Sequence, residues 1–148
     1  MKDKPRFLIH FRKAQVKFSG IYAHILSRED LTLPQYALLN QLTITGPAAM
    51  SEAGSALMIS KPAVTNLVDR LEEKGYLRRV AHPKDRRITL LEVKPRARRI
   101  VSRIQTHVFN VLFKTLERFS PRDREVIVKF YEALSGTLDN YSLKKGAS

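Results

Sequence analysis

Polar side chains that could read the edges of DNA bases lie together on one predicted helix, which begins after Ser60 and stops at Gly75. An asparagine such as Asn66 can pair bidentately with adenine, an arginine such as Arg70 with guanine, and the Thr65 methyl group can pack on thymine. All three lie on or beside the face opposite the apolar stripe, which consists of Val64, Leu67, Val68 and Leu71. The alternative is an ordinary solvated helix face.

The start of this helix adds further candidates for DNA contact. Ser60 is expected to cap the helix by accepting a hydrogen bond from the Ala63 amide, because Pro62 has no N–H of its own. A start one residue later, with Pro62 first in the helix, is the alternative. In either case free amides at this end would point toward a phosphate. The predicted DNA-contacting residues of the helix are Ser60, Lys61, Pro62, Thr65, Asn66 and Arg70.

A charged loop, His82–Arg86, follows between two strand-like runs, Tyr76–Ala81 and Arg87–Val93. The cations at its turn are Lys84, Arg86 and Arg87. Like charges repel one another at a protein surface, but a phosphate-lined minor groove would receive all three. Asp85 is expected to support this wing by orienting one of the arginines. The alternative is a soluble hairpin tip.

The net charge of the 148-residue chain is +13, from 27 basic and 14 acidic residues. Residues 60–99 alone carry 12 basic and 5 acidic residues, so the excess concentrates on the helix and hairpin described above. A concentrated basic patch on a folded domain usually serves a polyanion, since neutralised phosphates release counterions. The other interpretation is a solubilising surface. The predicted partner is double-stranded DNA.

The remaining apolar residues follow helical periods on both sides of this region. The predicted elements are a helix over 5–26, a helix entered at Leu31–Pro34 and ended by Thr45–Pro47, a short helix Glu52–Met58 capped by Ser51, and long helices starting at Pro95 and at Ser120–Pro121. Gly20 interrupts the first pattern and suggests a bend or a close helix crossing. The terminal helices carry more apolar surface than the small central motif can cover, which predicts a homodimer.

These elements predict a mainly α fold with a small β-wing (α+β): a winged helix-turn-helix with N- and C-terminal dimerisation helices. The whole chain, 1–148, is expected to form a single domain. Within it, residues 31–94 would form the DNA-binding lobe. Residues 1–30 and 95–148 would form the helical dimerisation lobe.

Catalytic and metal-binding chemistry is not indicated. The chain has no cysteine, which excludes disulfides and thiolate metal sites. No histidine pair has metal-ligand spacing, and no serine lies in a nucleophile-elbow context. We therefore expect no enzyme activity, no metal and no cofactor.

Residues after Met1 form an amphipathic stretch rather than a signal peptide, and no run reaches the ~20 apolar residues of a membrane span. A soluble, cytoplasmic, nucleoid-associated protein without a membrane partner is expected.

The ordered set of motifs resembles the MarR (multiple antibiotic resistance regulator) family of winged-helix transcription factors. The matching pieces are Leu33-Pro34-Gln35-Tyr36, Ser60 through Leu77, and Asp85-Arg86-Arg87. The resemblance implies a homodimer on a pseudo-palindromic operator, with Arg87 as the wing arginine of the family's Asp-x-Arg motif. Two departures concern the backbone: Met58 stands where glycine is common, and Val93–Ala97 replaces the usual segment after the wing.

The resemblance also implies a small anionic aromatic effector, since many members respond to such compounds in a cleft between the dimer helices and the DNA-binding lobe. The candidate lining here consists of Arg12, Lys13, Lys17 and Tyr36. For Tyr36 the alternative is a core residue of its amphipathic helix.

Three functions compete for this pattern. The leading one is a sequence-specific dimeric transcriptional regulator, most simply a repressor. A low-specificity architectural DNA-binding protein would share the charge but would not need the polar face at Thr65, Asn66 and Arg70. A winged-helix protein-interaction module would carry an apolar rather than a basic wing.

Overall fold

The computed structural model describes residues 4–145, with side chains as far as Asn140. Its residues group into two compact units, the first ending at Ile104 and the second beginning at Gln105. The elements in chain order are α1 (Lys4–Arg28), α2 (Leu33–Thr45), β1 (Ala48–Ala49), α3 (Met50–Leu57), α4 (Lys61–Glu73), β2 (Leu77–Ala81), β3 (Thr89–Val93), α5 (Pro95–Leu116) and α6 (Pro121–Lys145). The predicted mainly α fold with a small wing is confirmed.

Helix α2 begins and ends at the residues that the sequence indicates. Thr32 is the N-cap: its hydroxyl accepts from the Gln35 amide at 3.4 Å, and the Gln35 side chain accepts from the Thr32 amide at 3.0 Å. This reciprocal capping box satisfies two amides that a helix start leaves free. Gly46 ends the helix with a positive φ of 83°, a conformation that favours glycine.

The short helix α3 starts before the predicted Glu52, at Met50. Its N-cap is Ala49, whose amide donates to the Glu52 carboxylate at 2.8 Å, and Ser51 lies inside the helix. The prediction of Ser51 as the cap is therefore wrong, because Glu52 reaches back to satisfy the free amide that a serine cap would have served. Met58 ends α3 in the left-handed region, at φ 54° and ψ 38°.

Helix α4 spans the residues expected of it and ends in a Schellman motif. The Tyr76 amide donates to the Leu71 carbonyl and the Gly75 amide to the Glu72 carbonyl, with Gly75 at φ 69°. At the other end Ser60 is the N-cap and Lys61 the first helical residue, so the alternative start is not adopted. The Ser60 side chain makes no capping hydrogen bond, which contradicts the predicted bond to Ala63.

The sheet has three antiparallel strands in the order β1-β3-β2. Strands β2 and β3 form the predicted hairpin, in a register that pairs Leu77 with Val93 and Ala81 with Thr89. Strand β1 adds two residues against Leu90 and Leu91, which the sequence pattern does not predict. The side chains of Leu77, Leu91 and Val93 are buried, so one face of the wing base belongs to the core.

One hydrophobic core joins the helices and the sheet of the first unit. The largest side chains that it buries completely are Leu38, Leu39, Leu42, Leu71, Leu77, Leu91 and Ile104. Val64, Val68 and Leu71 are the α4 residues in this core, which leaves the opposite face of α4 in solvent. The core thus orients the predicted reading face outward.

In the second unit, α6 begins at the predicted Ser120-Pro121 pair. The Ser120 hydroxyl accepts from the Asp123 amide at 3.2 Å and donates to its carboxylate at 2.6 Å. Arg124 donates to three carbonyls at the end of α5, those of Leu116, Glu117 and Phe119. A cation at a helix C-terminus complements the free carbonyls there. Among the described residues no helix is long and apolar enough to span a bilayer.

Gly54 marks the closest approach between α3 and α4. A Cβ added to Gly54 would lie 2.9 Å from Cγ2 of Val64, closer than carbon atoms pack, and Val64 is 1% exposed. A β-branched side chain in a helix has little rotameric freedom to move aside. Gly20 differs, because a Cβ there would meet no atom of the described chain within 4 Å. The close crossing considered for Gly20 is therefore found at Gly54.

We expect Gly54→Ala to lower the free energy of unfolding by about 1–3 kcal/mol, because the added methyl group overpacks the crossing. Gly20→Ala is the matched control, since both glycines are helical and alanine is the better helix former by about 1 kcal/mol. Urea denaturation of the two variants measures both effects. The Gly20→Ala variant should be as stable as the wild type or more stable, and a Gly54→Ala variant that is stabilised to the same extent would contradict the close packing of α3 on α4.

Candidate nucleic-acid interface

The outer face of α4 presents the predicted base-reading residues to solvent. The exposed residues are Ser60, Lys61, Pro62, Thr65, Asn66 and Arg70. The Thr65 hydroxyl donates to the Lys61 carbonyl at 3.1 Å, so it is already engaged within the helix. Thr65 therefore offers its methyl group more readily than a hydrogen-bond donor.

The loop between β2 and β3 brings the predicted wing residues into one tight turn. Its backbone is closed by two hydrogen bonds, from the His82 amide to the Ile88 carbonyl at 2.9 Å and from the Ile88 amide to the Asp85 carbonyl at 3.0 Å. The His82 ring nitrogen Nδ1 accepts from the amides of Lys84 and Asp85, both at 3.2 Å. The turn is thus fixed by its own hydrogen bonds and not by core packing.

Asp85 holds Arg87, as the sequence predicts for one of the wing arginines. Its Oδ1 atom accepts from the Arg87 amide at 3.0 Å and from Nε at 3.2 Å, and Oδ2 accepts from the guanidinium at 3.4 Å. The Arg87 side chain is nevertheless 92% exposed. The hydrogen bonds from Arg87, side chain first and backbone second, lower the pKa of the Asp85 carboxyl. The wing therefore presents an oriented and accessible guanidinium.

Arg79 on β2 ties the wing to α4, a connection that the sequence reasoning missed. Its guanidinium donates to Asp69 at 2.6 Å and to Glu72, and its amide donates to the Glu72 carboxylate at 3.1 Å. The hydrogen bond to Asp69 is the largest of the effects that raise the Arg79 pKa. The usable signal was a strand arginine that follows two acids, by ten and by seven residues, and could pair with both carboxylates.

A model described as the MarR family matches residues 29–88. The chain is 27% identical over 111 residues to the uncharacterized HTH-type transcriptional regulator YfiV of Bacillus subtilis (strain 168), an alignment covering 75% of this chain and 69% of that protein. It is 31% identical over 70 residues to the multiple antibiotic resistance protein MarR of Salmonella typhimurium, covering 47% and 49% of the two chains. Residues 29–88 therefore carry a sequence pattern similar to that of the MarR family.

The fold agrees with this similarity. The structure of a MarR family protein from Bacillus stearothermophilus matches with a TM-score of 0.74 at 24% identity, over 91% of this chain and 93% of that one. The curated relatives are named HTH-type transcriptional regulators. This chain is accordingly a DNA-binding transcriptional regulator with a winged-helix fold.

The two departures from the family pattern affect the backbone as follows. Met58 adopts the left-handed conformation that glycine would adopt without cost. The turn between α3 and α4 is therefore kept, with the backbone of Met58 in a strained conformation. Val93 ends β3 and Pro95 is the first residue of α5, so the altered segment still starts the long helix. Neither departure displaces the exposed face of α4.

The four candidate effector residues do not share one environment. Tyr36 is 6% exposed, and its ring lies 5.7 Å from that of Tyr22. Burial, with a further contribution from Tyr22, raises the pKa of Tyr36 to about 12. Arg12, Lys13 and Lys17 are exposed on α1. The structure therefore supports the core interpretation of Tyr36.

We expect Arg87→Ala to raise the pKa of Asp85 toward its ordinary range, because the carboxylate would no longer accept from the side-chain donors that favour its charged form. In the wild type the stabilising effect of this pair is present above the unfolded-state pKa and is lost as the pH falls through the lower folded-state pKa. Arg86→Ala is the control, since Asp85 accepts no described hydrogen bond from it. Carbon-13 NMR titration of the Asp85 carboxyl measures the shift; equal values in both variants would argue against the Arg87 contact.

Proposed function

We propose that this MarR-like regulator binds a pseudo-palindromic operator as a homodimer and acts as a repressor. The observation that carries the proposal is the polar, solvent-facing side of α4 in the same compact unit as the basic wing. A helix that reads the major groove and a wing that enters the adjacent minor groove need these two surfaces. The alternative, a solvated surface without a DNA-binding role, does not account for a tight turn that concentrates three cations.

In this proposal the N-terminal half of α4 enters the major groove. Asn66 would pair with adenine, Arg70 with guanine, and the Thr65 methyl would contact thymine. Lys61 and the free amides that follow Ser60 and precede Val64 would contact the phosphate backbone. The proposal is supported by the exposure of these residues and by the buried apolar stripe that fixes which side of α4 faces outward.

The wing would contribute cationic contacts in the minor groove. Arg87 is the proposed groove-entering residue because Asp85 orients it while leaving the guanidinium accessible. Lys84 and Arg86 are exposed and would neutralise the flanking phosphates. Such contacts add affinity at many sequences, whereas α4 supplies discrimination.

Dimerisation is proposed from the apolar surface that the single chain leaves exposed on its terminal helices. Large apolar side chains at least 42% exposed include Phe7, Leu8 and Phe11 of α1, Val111 and Phe113 of α5, and Val126, Phe130, Tyr131 and Leu138 of α6. Patches of this kind are rare on monomers and normally become covered by a partner. A two-fold pairing of identical helices covers them and supplies two copies of α4 for a palindromic site.

The proposal assigns DNA binding and dimerisation to different parts of the chain. Residues 31–94 would form the DNA-binding lobe, while residues 1–30 and 95–148 would provide the helical dimerisation lobe. Repression follows if the operator overlaps a promoter. Because its partner is chromosomal DNA, we place the regulator in the cytoplasm, at the nucleoid.

An anionic aromatic effector is part of the proposal, with Arg12, Lys13 and Lys17 as its candidate charge partners. Their support is that three cations lie exposed on one helix. Tyr36 would act in this case as a packed neighbour, since burial leaves its ring little surface for a ligand. A direct test is salicylate titration of wild type and Arg12→Gln, with release of bound DNA as the readout.

We expect Arg87→Ala to weaken operator binding by about 1–3 kcal/mol, and Asn66→Ala to relax the preference at one base position. The operator is first selected from random duplexes with the wild-type protein, and affinities are then measured by fluorescence anisotropy over a salt series. Arg87→Ala should affect many sequences alike and lower the magnitude of the salt slope by about 0.9 for each phosphate that the variant no longer neutralises. Arg122→Ala, which removes an exposed arginine of α6, is the matched control.

A five-base-pair insertion between the half-sites separates the proposal from the architectural alternative, because it rotates one half-site by about half a helical turn. A specific dimer loses affinity on this insertion, whereas a low-specificity binder does not. Equal affinity of wild type and Arg87→Ala for the operator at matched salt would remove the wing from the proposal.

We expect Phe113→Asp to convert a micromolar dimer to monomer, because a carboxylate in the covered apolar face would lose its water. Ile44→Asp is the control: Ile44 is 68% exposed on α2, outside the proposed dimerisation lobe. Sedimentation equilibrium measures the mass of wild type and both variants. A monodisperse wild-type monomer would exclude the two-half-site model.

A further inference from the structure

The first three turns of α5 form a cationic surface that DNA reading does not use. Helix α5 contains no aspartate or glutamate, and its N-terminal part carries Arg96, Arg98, Arg99 and Arg103. The N-terminus of a helix carries partial positive charge, so arginines in the first turn are unfavourable for the isolated helix. Contacts of Arg96, Arg98 and Arg103 within the fold account for part of this cluster, and an anionic ligand would offset the repulsion that remains.

Three of these arginines line a concave site. An open cavity of about 510 Å³ is bounded by Arg96, Arg99, Ile100, Ser102, Arg103 and Glu29. This volume lies within the range of small-molecule sites. A second cavity, of about 730 Å³, is lined by two acids and two bases, including the paired Asp30 and Lys74, and so carries no comparable charge excess. The α5 cavity is the one suited to an anion.

The three guanidinium groups are held differently. Arg96 lies over the Tyr76 ring, 5.3 Å from its centroid, and Arg103 donates to Glu29 at 2.8 Å. Arg99 has no described side-chain hydrogen bond or ion pair within residues 4–140. One acid against three arginines leaves a net charge of +2, which favours an anion with more than one negative charge. Arginine guanidinium groups can bind phosphate oxygens bidentately.

The cavity lies away from both proposed DNA contacts. It adjoins Tyr76, which follows the C-terminal end of α4, whereas Thr65 and Asn66 lie in the N-terminal half of α4. Arg70, which is nearer to Tyr76, lines the other cavity instead. The 13 residues of α4 separate its two ends by about 20 Å. Tyr76 also precedes the first pair of the wing, Leu77 with Val93, and five residues of strand, about 16 Å, lie between that pair and the tip. None of the proposed DNA-contacting residues lines this cavity.

We propose that Arg96, Arg99 and Arg103 form a binding site for a small molecule that carries a diphosphate group. The same chemistry is offered by inorganic pyrophosphate and by a nucleoside diphosphate, in which the base would stack on a guanidinium plane. Arg99 would supply the uncommitted donors, with Arg96 and Arg103 at its sides. This site extends the function proposed above and does not depend on DNA binding.

Isothermal titration calorimetry of the full chain without DNA tests the site, with pyrophosphate, ADP and adenosine as probes. We expect pyrophosphate or ADP to bind with a sub-millimolar Kd, adenosine not to bind, and Arg99→Gln to raise the Kd about tenfold. Tighter binding of ADP than of pyrophosphate would identify the nucleotide as the ligand class, and equal binding would identify the inorganic anion. Either result supports the site.

Arg122→Gln is the control for general charge, because Arg122 is an exposed arginine in the first turn of α6, as Arg96 is in α5. It should leave the Kd within about twofold of wild type, since a charge outside the cavity makes no direct contact with the ligand. Far-ultraviolet circular dichroism and the thermal midpoint establish that Arg99→Gln is folded, and Arg103→Gln provides a second variant. Millimolar or absent binding of both phosphates, or equal weakening by Arg99→Gln and Arg122→Gln, would overturn the proposal.

Discussion

The ion-pair network around Arg79 is the contact on which the geometry of the winged motif depends. A helix and a hairpin that act on adjacent grooves need a fixed separation and angle, yet the wing tip itself has no core packing. Arg79 meets this need by joining β2 to Asp69 and Glu72 through both its side chain and its amide. The side chain of Arg79 is 31% exposed, so the network is partly screened and one pair alone would contribute little. Its planar, shared geometry restricts the orientation of the wing more than it adds stability.

The core supplies the complementary constraint. Leu77 follows α4 after a three-residue turn closed by Gly75, and its buried side chain anchors the base of the wing beneath Arg79. At the other end of α4, Gly54 lets α3 approach within contact of Val64. Helix α4 is thus fixed by apolar contacts on one face and by the pairing of Asp69 and Glu72 with Arg79, whereas Asn66 makes no described side-chain hydrogen bond. A residue such as Asn66 can therefore vary with the operator at little expense to folding.

The sequence predicts the parts of this fold that depend on local rules. The entry at Leu31–Pro34 marks the start of α2, and Ser120 with Pro121 marks that of α6, because capping and proline chemistry act within four residues. Prediction was poorer where distant residues decide. Strand β1 consists of two alanines, which favour strands weakly, and it exists because Leu90 and Leu91 offer a free edge. Arg79 acquires its role only when β2 folds against α4. The error at Ser51 was local, because the Glu52 carboxylate accepts from the amide of Ala49, the actual N-cap. The exposed face of α4 could be predicted from the apolar periodicity. The cavity on α5 could not be predicted, because it forms only where Glu29 and Arg103, 74 residues apart in the sequence, come into contact.

The position of the α5 cavity bears on how such a ligand could influence a regulator. A ligand changes DNA affinity only to the extent that it binds the DNA-bound and free conformations with different affinity, and the effect is reciprocal. Arg96 packs on Tyr76, the residue that closes the Schellman turn of α4, while Glu29 connects Arg103 to the segment just before α2. A diphosphate could compete with Glu29 for Arg103, or could draw Arg96 away from the Tyr76 ring. It would then weaken a contact to the segment before α2 or a contact to the segment after α4. Coupling between the sites, where it exists, would therefore pass through the packing of Tyr76 and not through charge at the operator.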